Sequence, residues 1–338
     1  MFVNFHKRGH NVTIVTQADT DYGRRYRDCG INVIDFYPGH KICWSSIKKI
    51  HSELKRIQYD ILYLTNSRTI PNGAFAAIGN RVKVVTYRGT TGGLYRHDPS
   101  AYLTHLHPRV DGIVCVSDAV RADVRKRVWK NRDKVVTIHK GHDLDWYSNQ
   151  PADLTEFGIT DKDFVMICAV NVRPSKGIPV LLEAVDRLAD IDNLHLLLAG
   201  KNMDTYKDMI SGNRLRDRIH VLGYRHDVPE LIKASDVLVQ PSISGEGLPR
   251  AVMEAMAYGT PSIITTTGGG KEVVQDGITG FVVPTHDPSS IAAKVRHLYE
   301  NPELLQSMGR KCLSVFGENF SCERSTDLYL DYFSSLMQ

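Results

Sequence analysis

Residues 237–266 read VLVQPSISGEGLPRAVMEAMAYGTPSIITT. Val237 to Val239 form a short apolar strand, Gln240 to Leu248 a polar turn with two glycines, and Pro249 opens a helix that Gly259 and Pro261 close. Ser262 to Thr265 return to a β-branched strand. This is a βαβ unit, and such units bind ligands outside the carboxyl ends of their strands, where the helix N-terminus points into the crevice. Glu246 stands in the turn and Glu254 inside the helix. The glycines flanking Glu246 let backbone approach a ligand, leaving the Gly247 and Leu248 amides as donors for a diphosphate. A carboxylate is a bidentate acceptor for vicinal hydroxyls. For Glu254 an ion pair with Arg250 one turn earlier is the competing reading.

Two further turns share this character. NVRPSKG (171–177) follows the apolar strand FVMICAV (164–170) and leads into a helix from Pro179 to Leu188, so backbone amides and the helix dipole converge with Arg173 and Lys176 on an anion cradle. GGGKEVVQDG (268–277) is a Gly-rich turn that predicts a helix starting at Lys271. The strands LHLLLAG (194–200), IHVLG (219–223) and GFVVP (280–284), with a helix from Pro288 to Glu300, complete an alternating pattern over the second half.

The first half alternates too. Strands are expected at 12–16, 32–36, 61–64, 82–87, 112–116 and 135–138, short and β-branched as in buried parallel sheets. What precedes residue 12 departs from the pattern: FHKRGHN reads as the last turn of a helix with Gly9 past its end. A doubly wound domain opens instead on a strand and a Gly-rich turn, so the expectation is an N-terminal domain lacking its first strand. WSSIKKIHSELKRIQ (44–58) is amphipathic and fits a solvated crossover helix or a membrane-surface helix. Arg121 to Lys134, with seven basic and two acidic residues, reads as a basic helical stretch with the same two alternatives. The turn-rich stretch 140–161 reads as the linker. The expected domains are residues 1–148, 149–320 and a terminal helix, 321–338, crossing back to the first.

The 338 residues are 42% apolar and 24% charged, ordinary for globular domains, with a net charge of +4. That figure conceals an asymmetry, because residues 1–150 carry 24 Lys and Arg against 13 Asp and Glu, while residues 151–338 carry 18 against 25. The basic half suits an anionic acceptor or membrane surface. It contains no nucleic-acid-binding motif. Six cysteines form no CxxC pair and no metal-ligand spacing, and no apolar run approaches the roughly 20 residues of a membrane span. A reducing, cytoplasmic setting is expected, and the repeated DxD matches lie in turn-like surroundings that suggest no metal site.

In order and spacing, NVRPSKG, ASDVLVQPS, EGLPRAVMEAMAYGTPSI and GGGKEVVQDGITGFVVP resemble the C-terminal domain of the retaining family 4 glycosyltransferases, across roughly residues 164–310. KRGHNVTIVT and DGIVCVSDAVR resemble the N-terminal domain less distinctly. The resemblance implies an α/β protein of two Rossmann-like domains facing a cleft, the GT-B fold. It implies a nucleotide-sugar donor on the second domain and a glycan or lipid-linked acceptor on the first, in cell-surface polysaccharide or lipopolysaccharide synthesis. Glu246, Lys176 and Arg173 would be catalytic. Glu254, Gly247, Leu248, Asn171 and Tyr224 would bind donor, with Glu254 on the ribose and Tyr224 near the base. Arg88 and Gly89 would lie on the acceptor side. No metal or other cofactor is implied, and the enzyme would work in the cytoplasm or peripherally at the inner face of the plasma membrane.

Two positions depart from the family pattern: Asn171 stands where members usually carry Arg, and Arg88 where many carry His. The apparent loss of the first strand motivates a rival, a non-catalytic nucleotide-sugar-binding or assembly subunit. A nicotinamide-dependent oxidoreductase is disfavoured because no GxGxxG is present.

Overall fold

The computed structural model describes residues 1–338. The chain forms two compact units, Met1–Gly141 with Phe320–Gln338, and His142–Asn319.

The first unit contains α1 (Phe2–Lys7), β1 (Thr13–Thr16), α2 (Asp21–Asp28), β2 (Asn32–Asp35), α3 (Trp44–Arg56), β3 (Ile61–Leu64), α4 (Thr69–Ala76), β4 (Lys83–Arg88), β5 (Gly112–Cys115), α5 (Asp118–Arg125) and β6 (Val135–Thr137). All pairings are parallel, but they make two sheets, β1-β2 and β3-β4-β5-β6. In the usual doubly wound order 3-2-1-4-5-6, the first strand lies where this sheet is interrupted, between β1 and β3. Exposure follows the break: β5 is buried throughout, whereas β1, which that order would bury on both faces, leaves Val15 40% exposed.

Residues 121–134 do not form one helix. α5 stops at Arg125, and the chain turns through Asn131 in the left-handed region before a short 3-10 turn at Arg132–Lys134. Arg96 explains the break: its Nε takes the Arg127 carbonyl at 2.8 Å, its Nη2 the Val128 carbonyl at 3.3 Å, and its guanidinium stacks 4.3 Å from the Trp129 ring.

The second unit contains β7 (Phe164–Ala169), α6 (Ile178–Asp186), β8 (Leu194–Ala199), α7 (Lys207–Ser211), β9 (Ile219–Gly223), α8 (Val228–Lys233), β10 (Val237–Gln240), α9 (Arg250–Tyr258), β11 (Ser262–Thr265), β12 (Gly280–Val283), α10 (Pro288–Glu300) and α11 (Pro302–Asn319). One parallel sheet runs β12-β11-β10-β7-β8-β9. α6 packs against α10, and α9 against α8 and α11. The core between the sheet and the α6–α10 layer takes Met166, Leu196, Leu198 and Val239 from one face of the strands and Leu181 and Ile291 from the helices.

The division falls at Gly141–His142, inside the turn-rich stretch 140–161. Residues 149–152 are tied to α8, since the Ala152 amide donates to the Glu230 carbonyl at 3.0 Å and Asn149 Nδ2 to Glu230 Oε1 at 2.7 Å. The chain then returns to the first unit as α12 (Cys322–Met337). Its Tyr329, Tyr332 and Leu336 share a core with Phe5, Val85, Val114 and Ile138, and the Tyr329 and Tyr63 hydroxyls meet at 2.8 Å. No helix is long and apolar enough to cross a membrane.

Candidate donor site at the carboxyl ends of the second sheet

The chain runs outward from β7 through β8 to β9, then restarts at β10 on the other side of β7 and runs to β12. The topological switch point therefore lies between β7 and β10, where open parallel sheets place their ligands. The loops leaving these two strands are NVRPSKG and the turn around Glu246.

Backbone contact holds the loops together. Ile243 N donates to Ser175 O at 2.8 Å. Gly177 adopts φ +67°, and a Cβ there would fall 2.0 Å from the Pro241 carbonyl oxygen, so no other residue fits. Gly268 approaches from β11 at φ +64°; its Cβ would fall 2.2 Å from Glu246 O, and the next amide, Gly269 N, donates to Gly247 O at 3.0 Å. The expected helix at Lys271 is absent, replaced by a 3-10 turn over Gly268–Glu272 that seats the glycines against the Glu246 loop and Ile264.

The three turns converge on Glu246, only 7% exposed. Its Oε1 accepts from Lys176 Nζ, from Ser242 Oγ at 2.6 Å and from Gln240 Nε2 at 3.2 Å. Three donors on one oxygen compensate a carboxylate taken out of water. Oε2 accepts nothing within the chain and is not sealed from solvent. The Gly247 and Leu248 amides, just ahead of α9, likewise donate to nothing within the chain. Lys176, expected at a diphosphate, is therefore committed to Glu246 here. Arg173, at the head of the same Pro174–Lys176 turn, is exposed.

Glu254 is 6% exposed, and its Oε1 takes Arg250 Nε at 2.7 Å, so the helix-surface pair weighed from the sequence is present. Burial raises its pKa; Arg250 opposes the rise and Glu230 on α8 adds to it. The Asn171 carboxamide oxygen accepts the Lys201 amide at 3.0 Å, which makes Asn171 a brace and brings Lys201 to the strand ends. Lys201 Nζ lies 4.6 Å from the centroid of the exposed Tyr224 ring. Lys201 was not singled out from the sequence; the only available signal was a cation directly after the strand-ending Gly200.

In the first unit Arg88 ends β4 and folds its guanidinium back on its own loop, donating to Thr90 O at 3.1 Å and to Gly92 O. Gly89 follows it, and Gly92 N is anchored on Asp123 Oδ2 at 2.9 Å. Beneath this loop His105 is buried against Thr86 Oγ1 at 2.9 Å; burial, with the nearby Arg88 charge, lowers its pKa to about 3.

Known proteins resemble this chain in sequence and in fold. The family model "Glycosyl transferases group 1" matches residues 149–312, and "Glycosyltransferase Family 4" matches residues 3–146. The N-acetyl-alpha-D-glucosaminyl L-malate synthase of Bacillus anthracis is 28% identical over 309 residues, 87% of this chain and 78% of the relative. The Escherichia coli UDP-Gal:alpha-D-GlcNAc-diphosphoundecaprenol alpha-1,3-galactosyltransferase is 25% identical over 309 residues, 85% of this chain and 79% of the relative. The crystal structure of Anabaena Alr3699/HepE in complex with UDP superposes with a TM-score of 0.80 at 19% identity, covering 98% of this chain and 94% of that one. Relatives acting on glycolipids and polysaccharides and neighbours of the GT-B fold thus surround the sequence. The chain belongs to the group 1, family 4 glycosyltransferases and is an enzyme of that class.

Proposed function

We propose that the protein transfers a sugar, with retention of anomeric configuration, from a nucleoside-diphosphate donor held by the second unit to a glycan or lipid-linked acceptor held by the first, in cell-surface polysaccharide or lipopolysaccharide synthesis. The observation that carries this is the convergence at the switch point of three turns on one buried carboxylate, next to two uncommitted amides at a helix N-terminus. Glu246 Oε2 accepts hydroxyls of the transferred sugar. The Gly247 and Leu248 amides, with Arg173, receive the diphosphate, and Glu254 receives the ribose once it turns from Arg250. A transition state of oxocarbenium character puts negative charge on the leaving diphosphate, so donors and cations there lower the barrier. Lys176, fixed on Glu246, stands at the junction of sugar and diphosphate and serves both.

The similarity to the E. coli galactosyltransferase and to the UDP complex of the Anabaena protein favours a UDP-linked donor, and the former a diphosphate-linked lipid acceptor. Arg88 and Gly89 stand on the acceptor side. No metal or nucleic acid takes part in this reading, so activity should persist in a chelator. The basic first unit, with Trp44 73% exposed at the head of α3 and Lys48 and Lys55 on the same helix, suits peripheral contact with an anionic inner membrane face from the cytoplasm. Incubation with a panel of nucleotide sugars and acceptor lipids, assayed for nucleoside diphosphate, tests the proposal. Absence of release with every pair would refute it in favour of a binding subunit.

A further inference from the structure

The basic stretch 121–134 takes no part in the donor site, and its break after Arg125 leaves an ordered surface. Trp129 is 65% exposed, yet its ring is fixed. The Arg96 guanidinium covers one face, 4.3 Å from the centroid. The indole Nε1 donates to Tyr102 Oη at 3.2 Å, and that hydroxyl donates to the Arg96 carbonyl at 3.1 Å. One flat face is left to solvent.

Beside the ring lies a depression of about 550 Å³ lined by Arg125, Lys126, Arg132 and Asp133. Arg132 joins the two, since its Nε donates at 3.1 Å to the carbonyl of Val128, the residue before Trp129. Arg125 places Nε and Nη2 on the Val135 carbonyl at 3.2 and 3.0 Å. The Lys126 side chain bonds to nothing within the chain, and none of the three cations pairs with a carboxylate; Asp133 has Lys134 at 3.9 Å. The stretch connects α5 to β6, so it lies at the amino ends of the parallel strands, the opposite edge of the sheet from Arg88 and Gly89.

The negative π face of an indole attracts the C–H groups that line the apolar face of a pyranose ring. Guanidinium and ammonium groups without a carboxylate partner hold carboxylate or phosphate oxygens. An anionic bilayer is the competing partner, but an interfacial tryptophan turns its N–H toward the wet side of the interface. Here the N–H is taken by Tyr102, and the cations line a concavity instead of ringing an apolar tip.

We propose that Trp129, Arg125, Lys126 and Arg132 form a second, non-catalytic site for an acidic oligosaccharide, with one sugar ring on the indole and a neighbouring carboxylate or phosphate in the cationic depression. This goes beyond the transfer reaction and does not depend on the donor reading.

Calorimetric titration of the full chain tests it, with a galacturonic acid hexamer, a phosphorylated mannose pentamer, neutral maltohexaose and inorganic phosphate as probes, and sedimentation with phosphatidylglycerol vesicles alongside. At least one acidic oligosaccharide should bind about tenfold or more tightly than both maltohexaose and phosphate, and which of the two binds identifies the acid group. Trp129→Ala should weaken that binding at least about tenfold. Lys126→Glu, at an exposed side chain with no bond to break, should do the same without disturbing the fold. Acidic oligosaccharides that bind no better than maltohexaose or phosphate overturn the proposal, as does binding that survives both substitutions. Vesicle binding that is lost in Trp129→Ala, with no oligosaccharide bound, overturns it in favour of a membrane contact.

Discussion

The Lys176 ammonium and the Glu246 carboxylate form an ion pair across 70 residues of sequence, joining the turn after β7 to the turn after β10. Neither side chain is freely solvated, at 22% and 9% exposure. Removing Lys176 leaves the buried Glu246 carboxylate with only its two neutral donors, Ser242 and Gln240, so Lys176→Ala should lower stability by about 1–3 kcal/mol in chemical denaturation. Turnover should fall at least tenfold, about 1.4 kcal/mol of transition-state stabilisation. A folded variant with unchanged turnover would remove Lys176 from the chemistry.

Gly268→Ala should act on Glu246 from the other side. The new methyl meets the Glu246 carbonyl in a left-handed backbone, costing about 1–3 kcal/mol of strain and displacing the carboxylate. Gly277→Ala is the matched control, because Gly277 shares a positive φ of 74° but has nothing within 4 Å of its Cβ. Donor affinity should drop in the first variant and hold in the second.

For Glu254 the folded state favours the protonated acid, since burial holds its pKa above the ordinary 4.5. The linked stability is fully present below 4.5 and is lost as pH rises through the elevated folded value. Glu254→Gln should remove that slope, keeping or raising the melting temperature at pH 8 while weakening donor binding. A variant that loses stability and affinity together at pH 8 would show a structural role only.

His105 gives the opposite sign. Its folded pKa of about 3 lies below the unfolded 6.5, so its contribution is complete above 6.5 and is lost as pH falls toward 3. At pH 5 the loss should be about 2 kcal/mol, from 1.36 kcal/mol per unit over the 1.5 units below 6.5. Urea titrations at pH 7 and pH 5, with His105→Gln as a variant lacking the slope, measure it.

What the sequence made legible was local. Val237–Gln240, Arg250–Tyr258 and Ser262–Thr265 lie within a residue of their expected limits, because Pro249, Gly259 and Pro261 punctuate them by backbone geometry alone. Contacts far along the chain were not legible. Nothing near Lys176 announces Glu246, and nothing near Gly268 announces that Glu246 O displaces the helix expected at Lys271. Arg96 ends α5 early by taking carbonyls that a longer helix would use. The eighteen-residue α11 passed unnoticed, and Lys201 is visible only once three strand ends are seen together.

The interruption between β1 and β3 bears on how the first unit comes apart. The four-stranded sheet is closed over by α12 through Tyr329, Tyr332 and Leu336, whereas the β1–β2 ribbon has no strand joining it to that sheet. Cooperativity in parallel sheets passes from strand to strand, so the ribbon with α2 is an opening unit in its own right, with a free energy of opening below that of the whole domain. Heat or denaturant should loosen residues 13–35 before the β3–β6 sheet yields.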